Sequence, residues 1–311
     1  MLVSTTLFVF LAIFQPISCW GSFGHRTVAY LAQKHFTAGT HRFVDRLLEN
    51  DQGFDISDAS LWADGRVKRD NPRTRQWHWI DAKDKPPTHC EVNYQRDCED
   101  NGTPECIISA ITNMTRVLSK PSNEYRKEAL MFLIHFLGDI HQPLHTENAS
   151  RGGTQLDVRF DNRNEDLHGV WDSDILHKYR HLPSSIGQNK PKEREEARKW
   201  ADELYQSKED KNMQLCKKGP ECYDIKKPQK CALLWASEAN CRICTHVLKP
   251  KVKWLENNDL GGEYYEDAVP VVVDLVRKSG LRLGAWLNAL AAIQPSEEDL
   301  VVQDPEVDGE L

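Results

Sequence analysis

Residues 135 to 145, "HFLGDIHQPLH", set three histidines and an aspartate into an otherwise apolar stretch. Each imidazole or carboxylate left unpaired in a core costs about 1–3 kcal/mol, so the pattern belongs to a surface edge or to a binding site. His135 and Asp139 stand four apart, which on a helix puts both on one face, where a rigid element can grip one ion with two ligands. His168 and Asp172 in "LHGVWD" repeat that spacing, and His145 stands beyond a proline at the end of the first stretch. Asp64 in "WADG", with His78 and Asp81 in "WHWID", brings the number of potential ligands beyond what core packing usually explains. His141 has no ligand role in this pattern and reads as a surface histidine or one behind the ligands.

The N-terminus bears on the same chemistry. The apolar run Leu7 to Phe14, followed by a proline and small residues, marks residues 1–19 as a secretory signal peptide. That run is too short to span a bilayer. Cleavage after Cys19 begins the mature chain at Trp20, whose free amine and carbonyl can chelate a metal as a five-membered ring five residues before His25. Removing the leader leaves eight cysteines: Cys90, Cys98, Cys106, Cys216, Cys222, Cys231, Cys241 and Cys244. An even number suits an oxidised, secreted protein, in which the Cys241–Cys244 CxxC reads as disulfide cysteines rather than a zinc or redox motif, although the pairing stays open among about a hundred possibilities. Sequons at Asn101, Asn113 and Asn148 permit glycosylation and agree with secretion.

The elements that must position these residues are mostly helical. Residues 25–36 place Val28, Leu31, Ala32 and His35 on one face, and residues 125–141 are apolar nearly all round, as in a central buried helix. A charged helix over 189–206 carries Ala197, Trp200, Ala201, Leu204 and Tyr205 at spacings of three and four after a proline. The stretch from Asp267 to Ile293 supplies one or two helices, interrupted at Gly280. Only residues 154–160 alternate, with Leu156, Val158 and Phe160 facing one way before a polar "DNRNED" turn. The Cys- and Lys-rich segment 206–231 reads as a stapled loop. The net charge of −7 is carried by the last sixteen residues, with seven acids and no base. The rest is near neutral and has no basic nucleic-acid footprint. We therefore expect one mainly α domain over residues 20–295, a single-domain helical bundle with a small β hairpin, and a disordered acidic tail over 296–311.

The motifs together resemble a known family: the secreted three-zinc, single-strand-specific nucleases with 3'-nucleotidase activity, of the S-one and P-one type. The carriers are "WGSFGH", "SLWADG", "WHWID", "HFLGDIHQPLH", "GGTQLDVRF", "LHGVWDSDIL", "WASE" and "GGEYYEDAVPVVVDLVRKSGLRLGAWLN", in the family's order from residue 20 to about 292. The resemblance implies the helical fold shared with zinc phospholipase C and three zinc ions. Asp64, His78 and His135 hold the first; Trp20 and His25 hold its neighbour, with Asp139 bridging the two; His145, His168 and Asp172 hold the third. Asp81 is implied as the carboxylate that orients the attacking water, and Trp79 as the ring under a nucleobase. The implied reaction cleaves single-stranded DNA and RNA to 5'-phosphorylated products and removes phosphate from 3'-nucleotides, by a monomer with no membrane attachment.

Two positions depart from the family pattern. Thr154 follows Gly152 and Gly153 where the family has an asparagine that hydrogen-bonds the base. Val67 stands three positions after Asp64 where a basic residue is usual, so that Lys68 reaches the phosphate only if one residue is inserted. The competing readings are a zinc phospholipase C, which typically has a glutamate where Asp172 stands, and a secreted zinc-binding protein without turnover.

Overall fold

The computed structural model describes residues 20–49, 53–67, 71–100, 103–207 and 221–295. The signal peptide, the acidic tail, Asn101, Cys216 and Lys68 lie outside the described residues. Apolar stripes of helical period become the longer helices, α1 (Ser22–Lys34), α2 (Ala38–Leu48), α3 (Ile56–Trp62), α4 (Ile107–Leu118), α5 (Arg126–Asp139), α6 (Lys190–Gln206), α7 (Pro228–Arg242) and α8 (Glu263–Ala292). Side-chain caps set several starts. Thr37 accepts from the Thr40 N–H ahead of α2, and Asp55 and Asp58 form a reciprocal capping box on α3. Asn189 accepts from Lys192 N at the start of α6, where Pro191 also sits.

Burial follows the periodicity. In α5 every residue from Ala129 to Asp139 is buried, because α3, α4 and α8 pack around it. The second helix of the core, α1, lies against α8, α6 and α3. On α6 the buried stripe is Ala197, Trp200, Ala201 and Leu204; Tyr205, expected on the same face, is half exposed. No helix of the described residues is long and apolar enough to cross a membrane.

Two expectations about local structure are corrected. Gly280 does not interrupt the C-terminal segment: α8 runs through both Pro270 and Gly280. A Cβ at Gly280 would stand 2.6 Å from Leu31 Cδ2, so the glycine marks the close crossing of α8 over α1. The hairpin consists of β1 (Asp157–Phe160) and β2 (Arg163–Asp166), with Phe160 opposite Arg163. Only Asp161 and Asn162 of the polar "DNRNED" segment turn; both have positive φ (49° and 64°), as a two-residue type I′ hairpin requires.

Disulfides join Cys90 to Cys244, Cys98 to Cys106 and Cys222 to Cys231, and Cys241 is disulfide-bonded too. Cys241 and Cys244 are therefore staples, as read from the sequence. The Cys90–Cys244 bridge spans 154 residues and ties the loop that follows Asp81 to the end of α7.

Candidate metal centre and substrate cleft

Five segments of the chain bring the candidate ligands together around the C-terminal end of α5. His135 and Asp139 project from α5 and His25 from α1, where its ring stacks on that of His135 at 4.1 Å between centroids. A Cβ at Gly138 would meet His25 Nδ1 at 2.6 Å, so a glycine there gives the imidazole its place. Asp64 and Asp172 both sit on π-helical turns, Ala63–Val67 and Val170–Asp174, where a helix widens. Such bulges recur at functional sites because they re-aim one side chain without ending the helix.

The donor atoms form three groups, each within 4.8 Å: His25, His135 and Asp139; Asp64, His78 and His135; His145, His168 and Asp172. Two ligands bound at about 2.0–2.1 Å to a tetrahedral ion lie about 3.3–3.4 Å apart. Here His135 Nε2 is 3.5 Å from Asp64 Oδ1 and 3.2 Å from Asp139 Oδ2, and His78 Nδ1 is 3.6 Å and 2.9 Å from the same two oxygens. His25 Nε2 lies 3.1 Å from Asp139 Oδ1, and His168 Nε2 lies 3.1 Å from Asp172 Oδ2. Asp139 thus turns one oxygen toward His25 and the other toward His78 and His135.

Carbonyls behind the imidazoles settle their tautomers. A carbonyl only accepts, so His135 Nδ1–H donates to Ser60 O (2.6 Å), His145 Nδ1–H to His78 O (2.8 Å) and His168 Nδ1–H to Gly152 O (2.6 Å). In the neutral ring each Nε2 then has its lone pair aimed into the site, the arrangement of metal-bound histidines. Among the described residues, buried His145 Nε2 has no hydrogen-bond partner, and His25 Nε2, Asp139 Oδ1 and His168 Nε2 have none beyond the imidazole–carboxylate contacts at 3.1 Å. Orphans of this kind are costly in a core and are satisfied by a cation. The donor set, imidazole and carboxylate, fits zinc.

The same demand appears in the pKa values. Burial acts to lower His135, but the Asp139 and Asp64 charges overcome it and hold the imidazole at about 10. His168 stands at about 9 because Asp172 likewise outweighs its burial. Burial, reinforced for His25 by the neighbouring His135, lowers His25 and His145. Asp139 is held well below the usual carboxylate range, against its burial, by the three histidines around it. The carboxylates therefore bind positive charge strongly, and metal must displace protons to enter.

Residues absent from the sequence expectation complete the centre. Gln142 is fully buried; its amide donates to Asp172 Oδ1 (2.5 Å) and accepts from Leu144 N (2.6 Å), which fixes the carboxylate rotamer. It lies inside the quoted 135–145 stretch, but nothing in its spacing identifies a partner thirty residues away. His141 is buried, not a surface residue. Its Nδ1–H donates to Leu137 O and its Nε2 accepts from Arg282, and burial with the Arg282 charge lowers it to about 3. It is a fixed neutral strut between α5 and α8.

A cavity of about 320 Å³ opens beside the third group, lined by Trp79, Asp81, His145, Arg151, Thr154 and His168 among others. Its volume is at the low end for small-ligand sites and suits about one nucleotide. Burial raises the Asp81 carboxyl, opposed by the Trp79 indole N–H bonded to it and by the charges of Lys83 and Arg151. Trp79 is half-buried and lines this cavity rather than filling the core. The Thr154 hydroxyl donates to Arg151 O (2.8 Å), so toward a ligand it can only accept. Trp20 is fully buried ahead of α1, where the neighbouring Gly21 N–H donates to Asp172 O (2.8 Å).

Comparison with known proteins bears on the same residues. The family model described as S1/P1 Nuclease matches residues 20–292. Nuclease S1 of Aspergillus oryzae is 36% identical over 296 residues, covering 92% of this chain and 96% of its own length. Nuclease P1 of Penicillium citrinum is 35% identical over 275 residues, 87% of this chain and 97% of its own. Endonuclease 2 of Arabidopsis thaliana is 31% identical over 284 residues, 87% of this chain and 90% of its own.

Proposed function

The chain belongs to the S1/P1 nuclease family, and from that premise we propose that it is a zinc-dependent, single-strand-specific endonuclease that also removes phosphate from 3'-nucleotides. It is a nuclease, a hydrolase acting on phosphoric ester bonds. The observation that carries the finer reading is the set of orphaned, tautomer-fixed nitrogens and carboxylate oxygens at ligand–ligand spacing beside a nucleotide-sized cavity. Three zinc ions fit the three donor groups. Asp64, His78, His135 and one Asp139 oxygen hold the first, and His25, the other Asp139 oxygen and Trp20 hold the second. His145, His168 and Asp172 hold the third. Match of the family model from residue 20 onward supports a mature chain that begins at Trp20, whose amine completes the second site. The leader, the disulfides and the sequons support secretion.

Zinc bound in these groups supplies acidity to water and neutralises charge on phosphate oxygens. The protein does the rest. Asp81, on the cavity wall beside His145 and His168, accepts a hydrogen bond from the attacking water and aims it. Trp79 holds the Asp81 carboxylate by its indole N–H and offers its ring to a base. Such stacking is worth about 1–3 kcal/mol and tolerates any base. Thr154 offers only an acceptor to base N–H groups, a different group from the family's usual asparagine. A single strand can bend its phosphate inward while its base enters the cavity, and a duplex holds both rigid, which accounts for the preference for unpaired substrate.

Side-by-side assays on single-stranded DNA, single-stranded RNA, duplex DNA, a nucleoside 3'-monophosphate and phosphatidylcholine test this reading. Hydrolysis of the single strands and the monophosphate, with duplex and lipid spared, is the expected outcome. Hydrolysis of lipid alone would overturn it.

A further inference from the structure

The loop between His145 and Thr154 has four consecutive residues with positive φ: Ser150 (49°), Arg151 (54°), Gly152 (60°) and Gly153 (81°). L-residues seldom adopt this region in runs, and two of the four are not glycine. Part of the reason is the metal centre. Gly152 gives its carbonyl to His168, and a Cβ there would lie 2.9 Å from Leu144 O. That explains the glycine and leaves the strained Ser150 and Arg151 unexplained. Strain of this kind persists where the surrounding structure over-determines it, often at a binding site. Here the loop is closed by its own hydrogen bonds, Arg151 N to Asn148 O (2.8 Å), Gly153 N to Ala149 O (3.0 Å) and Gln155 N to Ser150 O (3.0 Å).

What the loop presents is a cation. The Arg151 side chain is exposed, lines the cavity and, among the described residues, forms no side-chain hydrogen bond or ion pair. Lys83 lies on the same wall, with Nζ donating to Arg96 O (3.1 Å) and two further donors available. Both line the cavity that the Asp81 carboxylate also lines. Among the cavity-lining residues these are the only lysine and arginine side chains; His168, the other lining cation of the metal-free protein, belongs to the proposed third metal site, and the lining acids are Asp81, Asp97, Glu99, Glu105 and Glu147, of which Asp97 is paired with Arg96 (2.6 Å). An entering polyanion therefore meets its protein-borne positive charge at Arg151 and Lys83.

We infer that Arg151 and Lys83 form an anion subsite that takes a second phosphate of the substrate strand, next to the one being cleaved, so that strands with several phosphates are preferred over nucleoside 3'-monophosphates. The inference rests on the nuclease reading and adds to it a selectivity for polyphosphorylated substrates. A guanidinium fixed by a rigid loop loses little freedom on binding phosphate and can contact it through two N–H groups.

The test uses zinc-loaded enzyme, wild type against Arg151→Ala, Lys83→Ala, the double variant and Arg151→Lys. The ratio of kcat/KM on a single-stranded oligonucleotide of about ten residues to kcat/KM on adenosine 3'-monophosphate should fall about tenfold in the double variant. Arg151→Lys should restore part of it. In parallel, binding of a hydrolysis-resistant phosphorothioate oligonucleotide should show a log–log salt slope shallower by about 0.7 per cation removed. An unchanged ratio with an unchanged slope, or equal loss on both substrates, would overturn the subsite. Wild-type enzyme that turns over neither substrate would instead sink the nuclease reading, and the binding slopes would still decide the subsite.

Discussion

Replacing Gln142 by alanine tests how far the metal centre depends on a residue that binds no metal. The amide satisfies two fully buried partners, the Asp172 Oδ1 acceptor at 2.5 Å and the Leu144 N–H at 2.6 Å. Truncation orphans both, at about 1–3 kcal/mol each, so the metal-free protein should lose about 2–5 kcal/mol. For a domain of this size that lowers Tm by about 4–15 °C. The metal effect is separate. Asp172 is freed to rotate its remaining oxygen away from His168 Nε2, now 3.1 Å distant, and loss of such a supporting hydrogen bond typically costs about 10–100-fold in metal affinity. Zinc content measured by mass spectrometry after equilibration in zinc-buffered solutions should show one equivalent weakened by that factor and two unchanged. Three equivalents bound as in wild type, with Tm lowered by less than about 2 °C, would refute the role given to Gln142.

Further expectations concern the reaction, acid stability and the helix crossing. Asp81→Asn should lower kcat strongly, about a hundredfold or more, with zinc content at the wild-type level by the same mass spectrometry. Glu238 is held at about 2, against its burial, by Arg282 and Lys278. Its folded pKa lies below the unfolded value, so its contribution is complete above about pH 4.5 and is lost as pH falls toward 2, at most about 3 kcal/mol. Denaturant titrations of the metal-free proteins should show that Glu238→Gln flattens the loss of stability between those pH values, and a slope equal to that of wild type would refute it. Gly280→Ala gains about 1 kcal/mol in helix propensity. It also drives a Cβ to 2.6 Å from Leu31 Cδ2, which costs about 1–3 kcal/mol. Calorimetry should therefore find a Tm equal to or below that of wild type, never above it.

The parts legible in the sequence were those in which residue type and spacing carry the physics. The α5 segment is apolar on every face and can only be a buried helix, so His135 and Asp139 within it must be paired. His168 and Asp172 carry the same four-residue signature. What remained hidden depends on tertiary proximity or on backbone shape without a compositional mark. The π turns under Asp64 and Asp172 look like ordinary helix in sequence. Gly280 looks like a breaker until α1 is seen packed against it. The positive φ of Ser150 and Arg151 leaves no trace, because neither is glycine. His141 shows its role only when Arg282 arrives from α8.

The central claim is that these histidines and aspartates hold three ions that cleave single strands. Its most direct measurement is to chelate the protein fully, return zinc one equivalent at a time, and follow cleavage of matched single-stranded and duplex DNA with the product ends mapped. No cleavage after chelation, and recovery that completes with the third equivalent, is the expected result. Products should carry 5'-phosphates, and the duplex should stay intact. Undiminished cleavage in chelator, or full activity at the first equivalent, would contradict it.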